Sequence, residues 1–143
     1  EEPRRLHIGI DIWGAEGNEI YAPVDSSVHS FAFNDHLGDY GATIILVHQL
    51  EEISFYTLYG HLSRDDINNL EEGKIIKKVE KFAKFGSIEE NGYWPPHLHF
   101  QIIKNISSFK GDYPGVSKLS ERKQYLENSP DADLILGMRK FIV

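Results

Sequence analysis

The sequence predicts a mainly β protein: an antiparallel β-sandwich or barrel-like core with a short C-terminal helical appendage. Three observations predict it. Short runs rich in Ile, Val, Tyr and Phe follow one another from Leu6 to Ile103; Gly, Pro, Asn and Asp break them at close intervals; helix formers gather only later, in Ser117–Asn128. The length of 143 residues suits one domain with a small addition. We expect a core at 1–103 and a C-terminal extension at 104–143 that packs on the core or leads away from it.

Taken in order, the expected strands are Leu6–Ile12, Glu19–Tyr21, Ser27–Phe33, Ala42–His48, Ser54–Leu58, Ile75–Lys77, Lys81–Phe85 and His97–Ile103. Gly9 lies between β-branched residues, which is poor helix material. Turn residues at 14–18, 22–23, 34–40, 71–74 and 89–92 separate the runs. Ser63–Leu70 reads as a helical turn, with Ser63 as N-cap and Asp65 and Asp66 in its first turn. In Ser117–Asn128 the residues Lys118, Leu119, Glu121, Arg122, Lys123, Gln124 and Leu126 favour helix, and Pro130 follows where a helix would stop. Nothing in this extension suggests chemistry.

Composition excludes several kinds of site. With no cysteine, disulfides, thiolate zinc sites, iron–sulfur clusters and a cysteine nucleophile are ruled out. A metal site here has to be built from histidine, of which there are seven, and carboxylate. The net charge of −7, with no basic run longer than Lys77-Lys78, argues against a nucleic-acid partner. No apolar stretch approaches the roughly 20 residues that span a bilayer. Glu1-Glu2-Pro3-Arg4-Arg5 resembles no signal peptide and lacks an initiator methionine, so the chain is expected to be trimmed or cut from something larger.

Two motifs and one lone histidine stand out. In His7-Ile8-Gly9-Ile10-Asp11, read as a strand, positions 7, 9 and 11 share a face. His7 and Asp11 then sit about 13 Å apart at roughly 3.3 Å per residue, too far to share an ion unless Gly9 or the following turn bends the chain. On spacing alone the pair reads as a strand-end histidine and a turn aspartate. In His97-Leu98-His99-Phe100-Gln101-Ile102, alternation puts His97, His99 and Gln101 on one face and Leu98, Phe100 and Ile102 on a core face. Two imidazoles so placed are close enough for one site, or are simply exposed on a polar sheet face. His61, in Tyr59-Gly60-His61-Leu62, reads by itself as structural or solvent-facing. His29, His36 and His48 have no assigned task, His48 being the least safely set aside because it ends a strongly apolar strand.

Together, however, the motifs resemble the zinc metallopeptidases of the M23 family, the lysostaphin/LytM-like peptidoglycan endopeptidases. The resemblance runs in order from His7 to Ile102: His-Ile-Gly-Ile-Asp, Ile20-Tyr21-Ala22-Pro23-Val24, Tyr40-Gly41-Ala42-Thr43, His48, Tyr59-Gly60-His61-Leu62, Glu72-Gly73-Lys74, Ala83-Lys84-Phe85-Gly86 and His97-Leu98-His99-Phe100. It implies His7, Asp11 and His99 as ligands of Zn2+, and His61 and His97 as unligated catalytic histidines. It implies a peptide or peptidoglycan substrate, hydrolysed by a metal-activated water. The helix-borne His-Glu-x-x-His signature is absent, and Glu89 and Glu90 read as decoration on a solvated loop.

The sequence departs from the family pattern at Ser87–Pro96, a bulky, acidic and aromatic approach to His97. Substrate preference is therefore not carried over from relatives that cleave glycine bridges or D-alanyl cross-links. The tail from Ser129 to Met138 resembles a segment leading from an M23-like domain into a class III aminotransferase-like domain, which implies covalent neighbour domains. A wall hydrolase would work in the cell envelope, and part of a multidomain enzyme in the cytoplasm. The alternative is a non-hydrolytic M23-like binding or regulatory module within a larger protein. A phosphocarrier domain of the sugar-phosphotransferase type, a β-sandwich that pairs two histidines, leaves the His7–Asp11 pair without a role.

Overall fold

A computed structural model of the chain describes residues 1–142. Its centre is a six-stranded sheet, antiparallel throughout, in the order β2-β9-β6-β5-β4-β7. These strands are β2 (Ile10–Trp13), β4 (Ser26–Asn34), β5 (Gly41–Leu50), β6 (Ile53–Leu62), β7 (Ile75–Ile76) and β9 (His97–Ile103). Two small antiparallel pairs complete the β structure: β1 (Arg4–His7) with β10 (Val116–Lys118), and β3 (Glu19–Tyr21) with β8 (Lys81–Lys84). The mainly β, antiparallel class expected from the sequence is the class observed. Among the described residues no helix is long and apolar enough to cross a membrane.

The alternating strands bury their apolar sets in two clusters. The larger gathers Val28, Ile44, Leu46, Tyr59, Leu62, Ile76, Leu98, Phe100 and Ile102. The smaller joins Tyr40, Ile45, Leu58 and Ile103 to Ile106 and Tyr113 from beyond the last core strand. β9 runs between β2 and β6 and is buried on both faces. Its polar face, with His97, His99 and Gln101, is thus interior and not the open surface that alternation alone allows.

Several expected elements form differently. The single strand Leu6–Ile12 is two strands in different sheets, parted at Gly9, whose φ of +90° suits glycine and almost no other residue. Ser54–Leu58 extends through Tyr59-Gly60-His61-Leu62, because β6 keeps pairing with both β5 and β9. Ser63 does not cap a helix: α1 spans Asp65–Asn68 behind Arg64, with no side-chain cap. Ser63 instead gives its N–H to the Lys84 carbonyl, at 2.9 Å. Asp65 and Asp66 do fall in the first turn, and Asp66 also accepts the Lys84 N–H at 2.8 Å.

The helix expected over Ser117–Asn128 is shortened. Val116–Lys118 pairs with β1, Leu119–Glu121 is a 3₁₀ turn, and α2 spans Arg122–Asn128. Helix propensity loses there to the hydrogen bonds that the edge of β1 offers. The last α-helix, α3, covers Asp133–Leu136 and ends at Gly137 in the left-handed conformation, and a 3₁₀ turn over Arg139–Phe141 follows.

Candidate metal centre

Three neighbouring strands and one bend assemble the site. In the β2–β9 ladder Asp11 lies opposite His99 and Trp13 opposite His97. In the β6–β9 ladder Gly60 lies opposite His99, which delivers His61 beside it. The bend at Gly9 closes the gap that a straight strand would leave, so that His7 Nε2 stands 3.1 Å from Asp11 Oδ1. A Cβ on Gly9 would stand 2.6 Å from the Phe100 carbonyl oxygen, so a side chain is excluded there by contact as well as by φ.

His7, Asp11 and His99 each offer a donor atom, all within 4.8 Å of one another. His99 Nδ1 is 3.0 Å from the same Asp11 oxygen that His7 faces. A tetrahedral zinc with ligands at about 2.0–2.1 Å separates its donors by roughly 3.4 Å, so the cluster has the size and the nitrogen and oxygen atoms that such an ion takes. Burial opposes ionisation of Asp11, but hydrogen bonds from His7 and His99, and their charges, outweigh it and hold the carboxyl well below the usual range. The Asp11 hydrogen bond raises the His7 pKa against the opposing effect of burial. A carboxylate held ionised between two imidazoles is a ready cation ligand.

His61 and His97 flank the cluster, with ring centroids 4.2 Å apart. Each gives its Nδ1–H to a backbone carbonyl: His61 to Asn91 at 2.8 Å and His97 to Pro95 at 2.7 Å. A carbonyl only accepts, so Nε2 is the basic nitrogen of both rings. His97 Nε2 stands 3.9 Å from Asp11 Oδ2. Burial brings the His61 pKa down to about 4, against the opposing pull of the Asn91 carbonyl. Its backbone adopts φ 64°, with its N–H bound to the Tyr40 carbonyl at 2.7 Å and its carbonyl to the Gly86 N–H at 3.0 Å. A non-glycine residue held there is strained, and such strain collects at functional sites.

Residues 5–110 match the sequence profile of peptidase family M23. The chain belongs to that family. It is 30% identical over 138 residues to an uncharacterized metalloprotease of Haemophilus influenzae, covering 92% of this chain and 27% of the relative. The chain thus spans about a quarter of that relative's length. Among solved structures, LytU superposes with a TM-score of 0.56 at 25% identity over 89% of this chain and 77% of its own. Csd3 of Helicobacter pylori gives 0.51 at 27% identity over 83% and 31%. The catalytic domain of the antimicrobial peptidase lysostaphin from Staphylococcus simulans gives 0.53 at 22% over 86% and 87%, a likeness of fold. An M23 metallopeptidase implies a metal, and the His-Asp-His cluster is where this chain offers ligands for one.

In this M23 chain the five sequence-predicted residues line one open groove of about 480 Å³. His36 is also among the residues lining it, whereas His48 and His29 lie outside it. His48 is buried between the Asp25 carbonyl and Thr57 Oγ1, and His29 bonds Ser30. Glu90 is not loose decoration, since its carboxylate accepts the backbone N–H of Arg64 and of Ser87, each at 3.0 Å. Asn91 is fully buried and clamps the backbone of Trp94 through both ends of its amide, which sets its own carbonyl against His61. Trp13, stacked on His97 at 4.5 Å, and Trp94 stand on the groove wall.

Sequence reasoning missed Tyr40, whose hydroxyl approaches His99 Nε2 at 3.4 Å. Its one signal was membership of Tyr40-Gly41, which carried no role. It also missed 112–116, which line the groove although the extension suggested no chemistry.

Proposed function

We propose that the chain is a zinc-dependent endopeptidase that hydrolyses peptide bonds, with peptidoglycan-type cross-link peptides as substrate. In this reading His7, Asp11 and His99 hold the zinc, while His61 and His97 do the proton work. The observation that carries it is the convergence of three nitrogen and oxygen donors within 4.8 Å, next to two imidazoles whose basic nitrogens are free. Three protein ligands leave a fourth position open, as catalytic zinc sites do. Zinc, when bound, supplies a Lewis acid for the scissile carbonyl and lowers the pKa of an attacking water towards about 7.

This chain's own side chains supply the rest. His61, neutral well below pH 7 by its lowered pKa, accepts a proton at Nε2 while Asn91 holds its Nδ1–H. His97, fixed by Pro95 and stacked on Trp13, presents Nε2 from the adjacent position, to stabilise a developing oxyanion or return a proton to the leaving amine. Family membership and the metalloprotease relative support the coarser reading; the substrate rests on the family resemblance. We take 1–103 as the catalytic core and 104–143 as an extension, a division supported by β9 being the last strand of the central sheet.

Turnover of muropeptides and synthetic cross-link peptides tests the assignment. His61→Ala and His97→Ala are expected to keep their metal and to lose about 10²–10⁴-fold in rate. A variant of either that keeps wild-type turnover removes that histidine from the mechanism. Zinc-replete protein that cleaves nothing across a broad peptide panel would favour a binding module instead.

A further inference from the structure

Toward Asp11 the His99 Nδ1 is a hydrogen-bond donor, and it serves as a metal ligand only once that nitrogen has given up its hydrogen. Its other nitrogen, Nε2, must then hold the ring proton and have somewhere to give it. Gln101 Oε1 lies 3.0 Å from His99 Nε2. An amide offers an oxygen at one end and an NH₂ at the other, and its orientation is read from its remaining partners. Gln101 Nε2 faces the Pro114 carbonyl at 3.3 Å and Ser129 Oγ at 3.0 Å. The Pro114 carbonyl can only accept, so the NH₂ end must point to it and the oxygen must point to His99.

A second carbonyl of the same segment agrees. Tyr40 gives its hydroxyl hydrogen to the Tyr113 carbonyl at 3.2 Å, which leaves an oxygen lone pair facing His99 Nε2. Both acceptors around Nε2 are thus fixed from residues 113–129, the region the sequence marked as chemically silent. His99, Gln101 and Ser129 are all at least 95% buried, so water cannot take over a lost partner.

We infer that Gln101 is a positioning residue for the metal site, and that the C-terminal segment, through the Pro114 carbonyl and the Ser129 hydroxyl, holds Gln101 in the orientation that makes His99 an Nδ1 ligand. The inference rests on the proposed role of His99. It ties metal affinity to residues outside the histidine motifs.

The test is the zinc dissociation constant of the full chain, measured by competition with a chromophoric chelator, together with side-chain ¹⁵N NMR of the zinc-loaded histidines. Gln101→Leu removes the acceptor and is expected to weaken zinc by about 10–100-fold. Gln101→Glu keeps an acceptor for Nε2 but loses the donor to the Pro114 carbonyl, so it is expected to recover part of that loss. Ser129→Ala is expected to weaken zinc in the same direction by a smaller factor. In the wild type, NMR should show His99 bound through Nδ1 with its proton on Nε2. Wild-type affinity in Gln101→Leu, or His99 bound through Nε2, overturns the inference. If Gln101→Leu fails to fold, the wild-type NMR spectrum and Ser129→Ala decide: a proton on Nδ1, or unchanged zinc affinity, overturns it. A wild-type chain that takes up no zinc overturns the metal reading itself, which is a different result from zinc bound equally by both chains.

Discussion

At the scale of single residues, the histidines divide by what holds their nitrogens. His61, His97 and His48 each give a ring proton to a backbone carbonyl, but only His48 has its second nitrogen taken up in the interior, 2.7 Å from Thr57 Oγ1. Burial lowers the His48 pKa below the ordinary 6.5, with the Asp25 carbonyl opposing. The sign follows: below 6.5 the unfolded chain binds a proton that the folded ring refuses, so stability falls as pH drops towards the lowered folded value. His61 adds to the same loss between 6.5 and about 4. In chelator-treated protein, the drop in denaturant midpoint from pH 7 to pH 5 should therefore shrink in His48→Gln. An equal drop in both chains contradicts the assignment.

At the scale of elements, the decisive feature is the break between β1 and β2. The sequence marked His7 and Asp11 as a pair and measured why a straight strand keeps them apart. The structure brings them to 3.1 Å by turning at Gly9. Gly9→Ala should cost about 1–3 kcal/mol of stability from its φ alone. It should also weaken metal binding, because the new Cβ presses on the Phe100 carbonyl and stands 3.2 Å from His99 Nε2. Zinc titration with a parallel denaturant curve checks both, and a fully stable, fully loaded Gly9→Ala would remove the bend from the account. Helix propensity misled in the opposite way at Ser117. Its neighbours favour helix locally, yet β1 offers an unpaired edge more than 100 residues earlier, and a distant edge leaves no local trace.

At the scale of the whole molecule, the C-terminal segment is part of the packing and not a loose addition. Ile106 and Tyr113 complete the smaller cluster, and Ala132 is buried in the larger. Ile106→Ala should lose about 2–5 kcal/mol, read from urea unfolding of the full chain. A loss near zero would mean that the segment only lies on the surface. The strands, their antiparallel class and the five residues proposed for the site were legible because alternation, turn residues and an ordered series of motifs are local signals. Tyr40, Gln101 as a partner of His99, and the carbonyls of 113 and 114 were not. Each acts through a contact between segments far apart in the chain, and a backbone carbonyl has no residue identity to read. The acidic net charge argues against a nucleic-acid partner but carries no signal for a substrate.

The most direct measurement of the central claim is zinc content after loading and exhaustive dialysis, for wild type and Asp11→Ala side by side. The account predicts about one zinc per wild-type chain and little in Asp11→Ala, with the far-ultraviolet circular dichroism of the two unchanged. Full zinc in Asp11→Ala, or none in the wild type, would contradict it.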